Sequence, residues 1–77
     1  MRVKLAGLAP VAIDGEFIRL DALLKFCAAA STGGEAKIMI QEGGVFLNGE
    51  ACFQRGRKVR PGDVVRCRGA LYRVTKI

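Results

Sequence analysis

The 77-residue chain contains no histidine and no tryptophan, and only one tyrosine. Histidine is the usual general base at neutral pH and the commonest metal ligand, so its absence disfavours most hydrolases and metalloenzymes. The cysteines, Cys27, Cys52 and Cys67, include no C-x-x-C pair of the kind that zinc and redox sites use. We interpret them as small buried side chains in a reducing cytoplasm, and we expect no catalytic residue, metal or cofactor.

Long apolar runs are also missing, since no segment approaches the roughly eighteen apolar residues that span a bilayer. We therefore expect no membrane association. Hydrophobic residues make up 51% of the chain and charged residues 26%, which supplies enough apolar side chains for a core. A chain of this length has room for one domain, so the sequence predicts a single domain over residues 1–77.

Acidic residues are scarce in the last third of the chain. Residues 55–77 hold eight basic side chains and one acidic one, a net charge of +7. Residues 1–54 hold five basic and six acidic side chains, a net charge of −1, and the whole chain carries +6. This distribution indicates an anionic partner that binds the C-terminal third of the chain.

Two short helices are predicted in the first half of the chain. Apolar residues at positions 20, 23, 24 and 27 have the i, i+3, i+4, i+7 spacing of a helix with one buried face, which predicts a helix over residues 20–29. Thr32 and Glu35 have the spacing of a capping box, so a second helix of about ten residues should begin there. Gly43 and Gly44 should end it.

The second half of the chain predicts strands. Asn48-Gly49 separates two apolar segments, as is typical of a hairpin with a type I′ turn. A Pro61-Gly62 turn precedes another strand, Gly69-Ala70 should turn the chain back, and residues 71–77 alternate as a last strand. The sequence therefore predicts an α+β domain with two short N-terminal helices packed on a small, mostly antiparallel β-sheet, preceded by a strand extension within residues 1–16.

Four segments carry a family pattern: Arg19-Leu20-Asp21, residues 35–43, residues 44–49 and residues 58–65. In this order and spacing they resemble the S4 RNA-binding domain, also called the alpha-L RNA-binding motif, over about residues 17–74. Residues 32–37 and 54–58 are similar to the small stand-alone bacterial branch of that family, the YbcJ/YaaA-type proteins. The resemblance implies a non-catalytic protein that binds structured RNA, with ribosomal RNA and ribosome assembly as the expected setting.

The resemblance also implies which positions contact RNA. They are Arg19, Thr32, Gly33, Gly34, Lys37, Asn48, Gly49, Arg55, Arg57 and Lys58. The last three have no acidic neighbour in the sequence, which leaves them available to phosphates.

The few aromatic residues favour recognition of RNA backbone and shape over base stacking. Phe17 and Phe26 are expected to fill the core, whereas Phe46 and Phe53 are expected to be exposed near the basic region. Proteins that bind single strands rely on exposed rings on which bases stack. We therefore expect salt-sensitive recognition of a folded RNA, with low sequence specificity.

One other interpretation stays open, and a second is disfavoured by the sequence. A protein-interaction module would dock on an acidic or ribosomal protein through the same basic residues. A β-grasp sulfur carrier shares the Asn-Gly and Gly-Asp turns, but it needs a C-terminal Gly-Gly where this sequence has Thr75-Lys76-Ile77. The favoured expectation is a monomeric, cytoplasmic RNA-binding domain without a small-molecule substrate.

Overall fold

The fold is described by a computed structural model over residues 8–77, which contain two helices and seven strands. The elements are β1 (Leu8–Ile13), β2 (Ile18–Arg19), α1 (Leu20–Phe26), α2 (Gly33–Gln41), β3 (Val45–Leu47), β4 (Glu50–Ala51), β5 (Lys58–Val59), β6 (Val64–Cys67) and β7 (Ala70–Lys76). The combination of helices and strands is confirmed. The helices are not N-terminal, however, because two strands precede them. The part of the predicted strand extension that falls on residues 1–7 lies outside the described residues.

The main sheet is mixed. Its strand order is β1-β7-β6-β3-β4, and the pairings among β7, β6, β3 and β4 are antiparallel. β1 runs parallel to β7 over six residue pairs, from Leu8 opposite Leu71 to Ile13 opposite Lys76. The expectation of a mostly antiparallel sheet is therefore confirmed in part, because three of the four pairings are antiparallel but the longest one, between β1 and β7, is parallel. Alternation in a sequence predicts that a segment is a strand but contains no information about the direction of its partner.

A second, two-stranded sheet is formed by β2 and β5. They pair antiparallel, with Ile18 opposite Val59 and Arg19 opposite Lys58. Nothing in the sequence predicts this pairing, because two residues are too few to show a period. This pairing is important for the candidate site, because it brings the start of α1 beside the most basic part of the chain.

Helix α1 is shorter than the sequence predicts, ending at Phe26 and not at residue 29. Ala28 has a φ of 61°, the left-handed conformation in which helices often stop. Its N–H donates to the Lys25 carbonyl and the Ala29 N–H donates to the Leu24 carbonyl, which together form a Schellman motif. The stop was missed because this position is normally glycine, and alanine gives no signal.

Replacing Ala28 by glycine is expected to stabilise the protein. Left-handed backbone costs an L-residue about 1–2 kcal/mol, part of which glycine regains, whereas the exposed Ala28 side chain contributes little packing. We expect a gain of about 0.5–1 kcal/mol in the free energy of unfolding, measured by urea denaturation. The control is Ala22→Gly within α1, which should destabilise by a similar amount. A loss of stability in Ala28→Gly would contradict the motif.

Helix α2 begins and ends close to the predicted positions. The Thr32 hydroxyl accepts a hydrogen bond from the Glu35 N–H at 3.1 Å, as in a capping box. The Glu35 carboxylate accepts from the Ser31 N–H at 2.6 Å and not from that of Thr32, so the box is shifted by one residue. At the other end, Gly43 has a φ of 80°, and the Gly44 N–H donates to the Met39 carbonyl. The predicted glycine stop is confirmed.

The Glu35 carboxylate should make stability depend on pH. The Ser31 N–H, together with the Arg68 guanidinium at 3.4 Å, lowers the pKa of Glu35 below its ordinary value of 4.5. Between the two values the unfolded chain binds more protons than the folded one, so stability falls as the pH drops through this range. We expect wild type to exceed Glu35→Gln in urea midpoint at pH 6 and to lose that advantage toward pH 3. An advantage that is equal at both pH values would contradict this assignment.

Both tight hairpin turns in the main sheet have the same geometry. Asn48 and Gly49 have φ values of 51° and 88°, which confirms the predicted type I′ turn between β3 and β4. Arg68 and Gly69 have φ values of 51° and 79°, and they connect β6 to β7 in the same way. This second turn falls one residue earlier than predicted, because arginine occupies a position usually given to asparagine or glycine.

The core lies between the helices and the inner face of the main sheet. α1 contributes Leu20, Leu23 and Leu24, and α2 contributes Ala36 and Ile40. The sheet contributes residues that alternate along its strands, Val11, Ile13, Val45, Leu47, Val65, Cys67 and Val74. Cys52 and Cys67 are buried as predicted, and Cys27 is half-buried.

The expected core positions of Phe17 and Phe26 are wrong. Phe17 is 43% exposed in the turn before β2, and Phe26 is 61% exposed at the end of α1. Phe26 does not share the spacing of Leu20, Leu23 and Leu24, so it lies off the buried face of the helix. Aromatic character alone suggested burial for both residues, but Phe17 lies before β2 and outside any helix.

Candidate nucleic-acid interface

Four of the predicted contact residues meet where β2 and β5 pair. Arg55 and Arg57 lie in the segment of residues 54–58, hereafter the basic loop. The last residue of this segment, Lys58, is also the first residue of β5. Arg19 stands directly opposite Lys58, and its guanidinium lies 3.7 Å from the position that a Cβ at Gly56 would occupy. Arg19, Arg55, Arg57 and Lys58 thus form one group, the basic cluster.

The backbone of the basic loop is fixed by the start of α1. This helix has no side-chain cap at Arg19. Instead, the Leu20 N–H donates to the Arg57 carbonyl at 2.9 Å, and the Asp21 N–H donates to the Arg55 carbonyl at 3.1 Å. The loop therefore satisfies helix N–H groups that would otherwise lack partners, and its carbonyls are turned inward toward the helix. The side chains of the loop are exposed.

Only one of the four cations has an acidic partner within residues 8–77. The Arg19 guanidinium makes two hydrogen bonds to the Asp21 carboxylate, at 3.2 and 3.1 Å. The other ion pair in this part of the chain joins Arg68 to Glu35 and involves no member of the cluster. The Lys58 ammonium lies 4.8 Å from the centre of the Phe17 ring, a cation–π contact. Neither ion pair involves Arg55, Arg57 or Lys58, so neither compensates their positive charges.

The pairing of Arg19 with Lys58 places two like charges side by side. Residues directly opposite each other in an antiparallel pair have their side chains on the same face, about 5 Å apart at Cβ, and like charges there are destabilising. Asp21 offsets part of this repulsion through its ion pair with Arg19. A bound anion would offset more, so the cluster is suited to hold a phosphate.

The other six predicted residues lie at two further places. The first place is the exposed N-terminus of α2, which is formed by Thr32, Gly33 and Gly34. The Thr32 hydroxyl there accepts a hydrogen bond from the Glu35 N–H. Lys37 is exposed on the same helix.

Asn48 and Gly49 form the turn between β3 and β4. The Asn48 amide donates to the Asp63 carboxylate at 3.1 Å, and its oxygen accepts from the Val64 N–H at 2.9 Å. The Asn48 side chain therefore fastens the hairpin to the turn before β6.

Two features of this region were not predicted from the sequence. The first is the capping of α1 by loop carbonyls, which leaves no residue signature because any residue provides a carbonyl. The second is the contact of Lys58 with Phe17, two residues 41 positions apart that only the β2–β5 pairing brings together.

Within residues 8–77, no helix has the length and apolar character needed to span a membrane. The same residues hold no group of three or more acidic or cysteine side chains arranged to bind a metal ion.

The family model of the S4 domain matches residues 11–75, and the chain belongs to this family. It is a small S4-type domain protein, which confirms the resemblance drawn from the sequence, and the match extends into β1. The chain is also similar to the probable ribosome maturation protein RlbA of Bacillus subtilis (strain 168). The two are 42% identical over 60 residues, which cover 78% of this chain and 84% of the relative.

Proposed function

We propose that this protein binds structured RNA, specifically ribosomal RNA, through the basic cluster, and that it acts without catalysis in ribosome assembly. Membership of the S4 domain family indicates RNA binding. Similarity to a probable ribosome maturation protein indicates a role connected with the ribosome. On this proposal the protein works as a monomer in the cytoplasm, where ribosomes are assembled.

The observation that carries the proposal is a set of three cations, Arg55, Arg57 and Lys58, which have no ion-pair partner within residues 8–77 and lie on a fixed backbone. Arginine presents a planar fork that binds phosphate oxygens through two hydrogen bonds, and Arg55 and Arg57 stand close together on the basic loop. Because the loop is held by α1 before any ligand arrives, little backbone freedom is lost on binding. Phosphate contacts of this type fix position and give salt-dependent affinity, with little sequence information.

We extend the proposed surface to the other predicted positions. Lys37 supplies a further exposed cation on α2. The exposed N-terminus of that helix, at Gly33 and Gly34, presents backbone N–H groups of the kind that favour a phosphate. The Asn48-Gly49 turn adds backbone at the hairpin tip, while the Asn48 side chain itself serves the turn.

The thiol groups support a non-catalytic role. Burial, reinforced by the nearby Cys67, raises the pKa of Cys27 to about 11. Burial also raises the pKa of Cys67 above its ordinary value. A thiol nucleophile needs a lowered pKa and usually a neighbouring base, and the sequence has no histidine to provide one.

A second candidate function, docking on a partner protein, is favoured by one specific observation. An open hollow of about 320 Å³ lies beside β1 and α1, lined by Ala12, Ile13, Asp14, Phe17, Ile18, Phe26 and Ile77. Exposed apolar side chains around a hollow are more typical of protein interfaces than of phosphate sites. The hollow is largely uncharged, so it does not account for the basic cluster.

The test compares purified protein binding to a structured rRNA fragment and to duplex DNA of equal length across a salt series. We expect preference for RNA, and an affinity that falls linearly on a log–log plot with salt. A tagged protein should also recover RNA from a lysate, and nuclease treatment should release the proteins recovered with it. Absence of RNA binding at moderate salt, with partner proteins retained after nuclease, would overturn the proposal in favour of protein docking.

A further inference from the structure

Phe53 is an exposed aromatic residue at the entrance to the basic loop. It follows β4, lies two residues before Arg55 and is 60% exposed. Its Cα is therefore within about 7 Å of that of Arg55, the length of two chain steps. An apolar ring that is open to solvent beside uncompensated cations is the arrangement with which proteins hold an unstacked base next to its phosphates.

The backbone on both sides of Phe53 is fixed. Cys52 is buried, and its N–H donates to the Val45 carbonyl at 3.0 Å. The Gln54 carbonyl accepts from the Arg57 N–H at 3.1 Å, and the Cys52 thiol lies 3.8 Å from the same carbonyl. The backbone on each side of Phe53 is thus anchored, and the residue between these anchors is exposed.

The ring of Phe53 lies beside Gly43 at the end of α2. A Cβ added at Gly43 would lie 3.3 Å from the Cε1 atom of Phe53, a tight contact, and the φ of Gly43 is already 80°. The glycine that ends α2 therefore also makes room for this ring. Since 60% of the residue is exposed, much of Phe53 is open to a ligand.

The other exposed phenylalanines are less suited to this role. The Phe17 ring already makes a cation–π contact with the Lys58 ammonium, which lies 4.8 Å from the ring centre. Phe26 is as exposed as Phe53, at 61%, but it lies at the end of α1 and lines the apolar hollow beside β1. Phe53 alone combines an open ring with a place in the chain beside the basic loop.

We propose that Phe53 stacks on an unpaired base of the RNA while the basic loop holds the adjacent phosphates. This inference rests on the proposed function and narrows its ligand. The target is a structured RNA with an unpaired nucleotide, in a bulge, a terminal loop or a helix end, next to its paired region. It also modifies the expectation of recognition by backbone and shape alone, since one base is contacted through its face.

Tryptophan fluorescence provides a direct test, because the chain contains no tryptophan. Phe53→Trp and Phe26→Trp place one reporter each at two equally exposed positions. On titration with an RNA hairpin that carries a single-nucleotide bulge, we expect strong quenching at position 53 and little change at position 26. Quenching at neither position, or only at position 26, during binding would overturn the proposal.

Affinity measurements separate this proposal from the proposed function. Phe53→Ala should weaken binding to the bulged hairpin by about 5- to 100-fold with an unchanged salt slope, because stacking contributes affinity without counterion release. Binding to the fully paired hairpin should change less, and Phe26→Ala should change neither. If wild type binds RNA but Phe53→Ala binds equally well, the stacking proposal fails and the proposed function stands. If wild type binds no RNA, both fail.

Discussion

Replacing Arg55, Arg57 and Lys58 together by alanine is expected to weaken binding to a structured rRNA fragment about 100-fold at moderate salt, since each lost phosphate contact removes roughly 1 kcal/mol or more. The log–log salt slope should become flatter by about 2 to 3, because each contact contributes roughly 0.7 to 0.9. Fold stability should change little. The loop caps α1 through its backbone carbonyls, which alanine also provides.

A matched control is available within the same third of the chain. Arg66, Arg73 and Lys76 are exposed cations in β6 and β7, outside the basic cluster. Arg66 is engaged by Phe46, with its guanidinium carbon 4.3 Å from the ring centre. Their triple alanine variant has the same net charge as the loop variant but should lose much less affinity. Equal losses in the two variants would show that net charge alone drives binding and would remove the cluster from the account.

The second large effect concerns stability. Leu24→Ala should lower the free energy of unfolding by about 2–5 kcal/mol, because it removes a fully buried side chain and leaves a cavity. Domains of this size have a total stability of about 4–12 kcal/mol, so the variant should be partly unfolded at elevated temperature. Denaturation in urea, followed by circular dichroism, measures the change.

The control for this variant lies two residues along the same helix. Phe26 has the larger side chain but is 61% exposed, so Phe26→Ala should cost less than about 1 kcal/mol. A ranking by side-chain size predicts the opposite order. If Phe26→Ala proved the more damaging variant, the packing of α1 described above would be wrong.

Local chemistry allowed much of the fold to be predicted from the sequence. The apolar spacing at Leu20, Leu23 and Leu24 located α1, Thr32 located the start of α2, and Asn48-Gly49 located a hairpin. Each of these signals depends on residues near one another in the chain. The stop at Ala28 and the turn at Arg68-Gly69 were misplaced because alanine at position 28 and arginine at position 68 adopt the left-handed conformation that glycine or asparagine usually takes.

Pairings between strands that are far apart in the sequence could not be predicted from local residue patterns. The parallel pairing of β1 with β7 and the two-residue pairing of β2 with β5 join segments that are far apart in the sequence. The basic contact residues were predicted from the family resemblance, since charge alone indicated only the C-terminal third of the chain. That Arg19 stands beside Lys58 depends on β2 and β5 meeting, whereas the ion pair of Arg19 with Asp21 is local, between residues two positions apart. The exposure of Phe53 was predicted from the sequence, but the place of its ring beside Gly43 was not, because no spacing rule indicates that contact.

The most direct test of the central claim is a map of the RNA-binding surface by NMR. An rRNA hairpin with a single-nucleotide bulge would be titrated into ¹⁵N-labelled protein while the backbone amide shifts are followed. We predict that the largest shift changes fall on residues 19–21 and 53–58, with smaller changes at the N-terminal half of α2. Changes centred on β6 and β7 around Arg66 and Arg73, with residues 53–58 unaffected, would contradict the assignment of the basic cluster as the RNA-binding site.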